Sequence, residues 1–221
     1  MVVNPHKLKK SELVKFTTGY CRHRHRYYEH PNCFIEEQMY KPRVGYLDIE
    51  TSHLKANFGV MLSYCIKVDG KREILGNVIT KKELHHPDMD KWIVKKCIND
   101  MMKFDELITY NGTRFDIPFI RTRALIHGLD FPIYGSIKHK DAYYMAKGRL
   151  CLHRKNLETV SYALGIPGKN HVDGNLWMKA SMHGDKKALE YIYDHNRRDV
   201  VVLEKVYKAL KEYIREVKRS I

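Results

Sequence analysis

The sequence predicts an α/β fold with a mixed five-stranded sheet flanked by helices, and two observations carry that expectation. Three apolar, strand-like runs come first, after which strand and helix alternate, an order that places an antiparallel meander beside parallel crossovers. The spacing of apolar residues also changes, from continuous runs of strand length early in the chain to helical intervals near its end.

In chain order, residues 44–51, 59–68 and 73–80 read as strands, and Asp69-Gly70-Lys71 is the turn between the second and third. A helix is expected over 88–103. Pro87-Asp88 marks its start, a simpler reading of His85, His86, Asp88 and Asp90 than a metal cluster. A strand at 107–110 ends in the turn signal Asn111-Gly112, and the helix that follows carries Asp116 near its N-terminal end. A short strand at 137–140 precedes Asp141, read as the cap of a further helix. Helices are then expected at 156–164 and 185–218, with Trp177 and residues 178–182 in the core. In the last helix Leu189, Ile192, Val200, Leu203, Val206, Leu210, Ile214 and Val217 recur at helical intervals, and His195 and Asp199 stand one turn apart on the flank of that stripe.

Length and composition set the frame. A chain of 221 residues can bury one good core, and the division expected is an N-terminal extension over 1–42 and one domain over 43–221. The five cysteines are odd in number and suggest no disulfide framework, which suits a reducing compartment. With no apolar run of membrane-spanning length and no signal-peptide h-region, the expectation is an intracellular protein, in cytoplasm or nucleoid, or in host cytoplasm if viral. Forty Lys and Arg against 26 acids give a formal charge of +14, the balance of a protein that meets a polyanion.

Against that basic background four acids sit in apolar or aromatic surroundings: Asp48 and Glu50 in YLDIET, Asp116 in TYNGTRFDIPF, and Asp199 in YDHNRRDVV. Burying a carboxylate is costly unless a cation or hydrogen bonds compensate. In a strand, residues two apart project to one side, so Asp48 and Glu50 form a two-carboxylate jaw. Carboxylate oxygens suit Mg²⁺ or Mn²⁺, and four of them suit two such ions, roughly 3.5–4 Å apart in sites that cleave phosphodiesters. His195 is then placed either as general base toward the attacking water or as a donor that only orients Asp199.

These segments resemble the three exonuclease motifs of the DEDD superfamily, the proofreading 3′–5′ exonucleases and related RNases on a ribonuclease H-like fold. YLDIETS looks like the first motif, YNGTRFDIPFI is similar to the second as found in family-B polymerases, and HNRRDV looks like the third. The resemblance spans roughly residues 43–207. It implies that Asp48, Glu50, Asp116 and Asp199 are metal ligands, that Thr51, Asn111 and Phe115 lie near the terminal nucleotide, and that digestion runs 3′ to 5′. The third motif departs from the commoner pattern, because His195 stands four residues before Asp199 and Tyr191 and Tyr193 are out of register.

The expected activity is a two-metal 3′–5′ exonuclease acting on single-stranded or frayed 3′ ends, DNA more than RNA, in end processing or in proofreading in trans with a separate polymerase. An RNA exonuclease of the same fold and a non-catalytic nucleic-acid-binding module are the alternatives. In the extension, GYCRHRHRYYEHPNC supports three readings, one of them a structural extension that covers a sheet edge. Arg22, Arg24 and Arg26 with Tyr27 and Tyr28 make a basic, aromatic arm for phosphates and bases. Cys21, His23, His25, His30 and Cys33 are zinc-capable, but they lack paired Cys-x-x-Cys spacing, and structural Zn²⁺ ranks below the arm. Lys169 is read as a phosphate contact or a solvated loop lysine, with equal weight.

Overall fold

The computed structural model describes residues 3–168 and 173–213. Lys169, Ile214, Val217 and the end expected for the last helix lie outside the described residues. The chain forms two compact units, Met1–Pro42 and Arg43–Ile221.

In the first unit, helix α1 (Lys10–Thr18) leads to a tight turn closed by the bridge Tyr20↔Arg26, and helix α2 (Pro31–Phe34) runs on into a π-helical turn, Ile35–Met39. Its core is small: Phe16 and Tyr27 pack edge-on to Phe34, with ring centroids 4.9 and 5.2 Å away. Tyr27 is therefore a core residue, with its hydroxyl donated to Glu37, and the expectation that it stacks on bases is corrected. Its neighbour Tyr28 stays exposed.

The second unit carries strands β1 (Val44–Thr51), β2 (Met61–Val68), β3 (Ile74–Val78), β4 (Glu106–Thr109) and β5 (Lys138–Asp141) in the order β3-β2-β1-β4-β5. β1, β2 and β3 form the expected antiparallel meander, and β1, β4 and β5 run parallel. Gly70 adopts φ 67° in the turn joining β2 to β3, a conformation open to glycine without strain. Every residue of β2 is buried, as expected of a strand covered on both faces.

The helices are α3 (Lys81–Leu84), α4 (Lys91–Met101), α5 (Asp116–Ile126), α6 (Ala142–Arg149), α7 (Leu157–Ala163), α8 (Gly174–His183) and α9 (Lys186–Lys211). Strand alternation assigns them to faces. Leu47 and Ile49 pack with Ile93, Val94 and Cys97 of α4 and with Ile117 and Ile120 of α5. Tyr46, from the other parity, packs with Val200, Leu203 and Tyr207 of α9. Leu189, Ile192, Val200, Leu203, Val206 and Leu210 of α9 are all buried, each stabilising the fold by roughly 1.5–3 kcal/mol.

One expectation needs correction here. Trp177 does pack against the core, but Met178 and Met182 are exposed, because residues 178–182 lie in α8 and a helix turns part of any such run to solvent. Asp90 occupies the cap position of α4, but its carboxylate makes no capping bond to the first turn. It is fully buried and accepts from the Met61 N–H at 2.7 Å and from the Arg123 Nε at 3.0 Å, with His127 Nε2 at 2.8 Å.

Candidate metal centre

β1 delivers Asp48 and Glu50 on the parity of Tyr46, which faces α9. Immediately after Glu50 the β1–β2 register slips, pairing Glu50 with Ser63 but Thr51 with Met61, a bulge that re-aims the strand where its acids project. α9 supplies His195 and Asp199 one turn apart, both buried, with His195 Nε2 3.6 Å from Asp199 Oδ2 and 3.9 Å from Glu50 Oε1. One ligand atom from each of Glu50, His195 and Asp199 lies within 4.8 Å of the others.

Asp48 and Asp116 reach the same strand end by separate bonds. Asp48 Oδ2 accepts from the side-chain amide of Asn196 at 2.5 Å, and Asn196 in turn accepts from the Ser63 hydroxyl at 3.3 Å. Asp116, the first residue of α5, accepts from the N–H of Ile49, between the two β1 acids, at 3.2 Å. The approach to α5 is fixed by Asp141, which bonds the Asn111 and Thr113 N–H groups at 2.7 and 2.9 Å while capping α6 through the Tyr143 N–H. Gly112 is required in that turn, since a Cβ there would stand 2.3 Å from Thr109 Oγ1.

The electrostatics favour a cation. Burial pushes the Asp116 carboxyl up to about 7, and the charge of Asp141 adds to the shift against the lowering pull of the Asp116 and Ile49 peptide N–H groups. A divalent ion would reverse that balance, and all-carboxylate oxygen donors with one imidazole match a hard ion such as Mg²⁺ or Mn²⁺. Cys65, paired in register with Asp48, is buried beside the acids; burial foremost, then the Asp48 charge, raises its thiol well above the ordinary value.

The remaining candidate residues are placed as follows. Thr51 is buried and donates its hydroxyl to the His53 carbonyl. Asn111 takes a left-handed backbone, φ 65°. Phe115 is half-buried at the start of α5, its ring 5.7 Å from that of Phe119. In the first unit, Arg22 pairs with Glu37 at 3.7 Å, Arg24 is exposed, and Arg26 lies over the rings of Tyr20 and Tyr28. Tyr191 bonds the Asp173 N–H, and Tyr193 packs against the Tyr46 cluster.

Sequence reasoning passed over Asn196. It is fully buried and holds Asp48, and its signal was its place between His195 and Asp199, facing β1 from the same helix.

The chain is 36% identical over 103 residues to a DNA polymerase of Methanocaldococcus jannaschii, a stretch covering 44% of this chain and 6% of that polymerase. Among solved structures it resembles the family B DNA polymerase from the hyperthermophilic archaeon Pyrobaculum calidifontis, with a TM-score of 0.60 and 14% identity over 76% of this chain and 25% of the polymerase. The chain thus spans only a small part of either protein. The family model RNase_H_2, of the RNase_H superfamily, matches residues 45–211, and with the mixed five-stranded sheet and its helices in place the chain belongs to the RNase H superfamily.

Proposed function

We propose that this protein is a metal-dependent 3′–5′ exonuclease of the DEDD type that hydrolyses phosphodiester bonds of DNA. The observation that carries the reading is the convergence of Glu50, His195 and Asp199 within 4.8 Å at the end of β1, with Asp48 and Asp116 bonded to the same strand end and its partners. Membership of the RNase H superfamily supports a nuclease-type function. Asp48, Glu50, Asp116 and Asp199 would hold two divalent cations, Mg²⁺ or Mn²⁺. Bound there, such ions supply Lewis-acid activation of the attacking water and charge neutralisation at the phosphate.

The chain's own residues set up the rest. His195 accepts the proton of the attacking water, and its place one turn from Asp199 keeps the imidazole beside that carboxylate. Asn196 fixes the Asp48 rotamer by its amide bond, and the Asp141-held turn fixes where α5 begins, so the acids are positioned before substrate arrives. The net charge of +14 assists capture of a polyanion by counterion release, to which Arg22, Arg24 and Arg26 of the first unit contribute; in the second unit, Thr51, Asn111 and Phe115 lie near the terminal nucleotide. The role is end processing or proofreading with a separate polymerase.

The test is a time course on 3′- and 5′-labelled DNA and RNA, single- and double-stranded, with Mg²⁺, Mn²⁺ or EDTA. Metal-dependent shortening from the 3′ end of DNA is expected. Shortening of RNA alone transfers the activity to RNA, and retarded but uncut substrate in every lane overturns the enzyme.

A further inference from the structure

The first unit holds a second group of metal-ligating side chains, unrelated in chemistry to the carboxylates of the RNase H fold. Cys21, His23 and Cys33 each offer an atom within 4.8 Å of the other two. His23 Nδ1 lies 3.9 Å from Cys21 Sγ and 3.8 Å from Cys33 Sγ. Zinc bonds of about 2.3 Å to sulfur and about 2.0–2.1 Å to nitrogen, at the tetrahedral angle, put sulfur and nitrogen roughly 3.5 Å apart. The cluster is thus within a few tenths of an ångström of a coordination edge.

The backbone produces this convergence. The Cys21 N–H bonds the His25 carbonyl at 2.9 Å and the Cys21 carbonyl accepts from the Arg24 N–H at 2.8 Å. Arg24 sits at φ 68°, so the chain doubles back within a few residues and presents Cys21 and His23 together. Cys33 arrives from α2, whose start is set by Pro31 and by the Cys33 N–H bonding the His30 carbonyl. Two more imidazoles stand beside the cluster: the His25 ring is 6.3 Å from that of His23 and stacks on that of His30 at 4.2 Å. The unit also needs a staple. Among its described residues only Val3, Phe16, Cys21, Tyr27 and Phe34 form its buried core, and units near 40 residues usually rely on disulfides, metals or assembly. Both thiols are free.

We propose that Cys21, His23 and Cys33 bind a structural zinc ion that holds the N-terminal unit together, with an imidazole of the His25–His30 pair completing the tetrahedron. Binding displaces the two thiol protons and takes His23 through Nδ1, leaving the acid-rich centre to harder ions.

The 221-residue chain, purified without added metal and washed with a weak chelator, should retain about one zinc per molecule. Cobalt in its place should give thiolate-to-metal charge-transfer bands with the ligand-field bands of a tetrahedral site. Cys21→Ser, Cys33→Ser and His23→Gln should each lower retained zinc at least tenfold, whereas Asp199→Asn in the carboxylate group should keep it. A cysteine variant can also lose zinc by unfolding, so the wild type carries a second test. Cys21 and Cys33 should resist iodoacetamide until a strong chelator is added, while the exposed Cys151 reacts at once. Wild type with no bound zinc and no cobalt–thiolate band, or zinc kept by all three variants, overturns the site. So does alkylation of Cys21 and Cys33 at the rate of Cys151 with zinc present.

Discussion

Asp90 and Asp116 are two buried carboxylates in matching positions with opposite surroundings. Each stands at the start of a helix packed on the sheet, Asp90 before α4 and Asp116 opening α5, and each accepts an N–H from a strand, Met61 for Asp90 and Ile49 for Asp116. Asp90 is then matched by the chain itself: Arg123 and His127 close on it, and Arg123 continues to the Ala56 carbonyl. Asp116 meets peptide N–H groups and another acid, Asp141, and its carboxyl rises to about 7. The lesson is about what burial of a charge is for. An acid neutralised by its own fold ties elements together; an acid left with N–H bonds and a like-charged neighbour is poised for a positive charge from outside.

The largest expected effect tests the Asp116 side. Asp116→Asn and Asp199→Asn keep shape and remove charge, so cleavage should fall to background while thermal unfolding stays at or above the wild-type temperature. Retention of more than about a tenth of wild-type cleavage, roughly 1.4 kcal/mol of barrier, would sink the metal-ligand assignment for that residue.

Next in size is the base. His195→Ala should lower turnover by about 10²–10⁴-fold and leave substrate affinity nearly intact, because a general base acts on the barrier rather than on binding. A loss below about threefold would reduce His195 to an orienting neighbour of Asp199. Tyr191, one turn earlier, is a poor substitute, since its hydroxyl already bonds the Asp173 N–H.

The Asp90 side of the comparison predicts the reverse pattern. Asp90→Asn leaves Arg123 buried at 6% exposure without its carboxylate, which should cost about 3–5 kcal/mol of stability, read by urea unfolding. Activity per folded molecule should be unchanged. If unfolding is unaffected and cleavage collapses instead, the division of labour between the two acids is wrong.

How much of this was legible follows the same physics. The meander and α9 could be read because uninterrupted apolar runs and a 3.6-residue stripe are local signals, and Leu189 through Leu210 are buried as that stripe requires. The acids of β1 and α9 were legible from spacing. α8 was missed because its Trp and Met residues show no clean period; the signals that frame it are Asp173, which caps through the Asn175 N–H, and Gly184, which ends the helix at φ 59°. α1 escaped because of its buried residues only Phe16 contributes. The Asp90–Arg123 pair spans 33 positions and the Asp48–Asn196 bond 148, and nothing in local sequence announces a contact set by how helices land on a sheet. For the same reason the zinc-capable residues looked unpaired, since Cys21, His23 and Cys33 meet only once the turn at Arg24 has folded back.

The smallest expected effect lies at the far end of α9, where a third kind of buried acid is matched by lysines. Burial pulls the Glu204 carboxyl upward, but hydrogen bonds from Lys208, Lys67 and the Gly70 N–H outweigh it and leave it below the ordinary glutamate value. Asp69 behaves alike: burial raises it, and bonds from Lys208 and Tyr46 bring it net downward, while the Glu204 bond raises Lys208. A carboxylate with a depressed folded-state value adds stability that is full above its unfolded value and is lost as pH falls through the folded one. A lysine with a raised value adds stability that is lost as pH climbs through its folded value. With unfolded values of about 4 for the acids and about 10.4 for lysine, the network should contribute fully between about pH 5 and about pH 10 and fade outside that window. Glu204→Gln should flatten the acid limb of stability against pH and lower the plateau, with cleavage at neutral pH untouched. An unchanged acid limb would show that this end of α9 is held by Val206, Tyr207 and Leu210 packing alone, and that the contrast between matched and unmatched acids rests on Asp90 and Asp116.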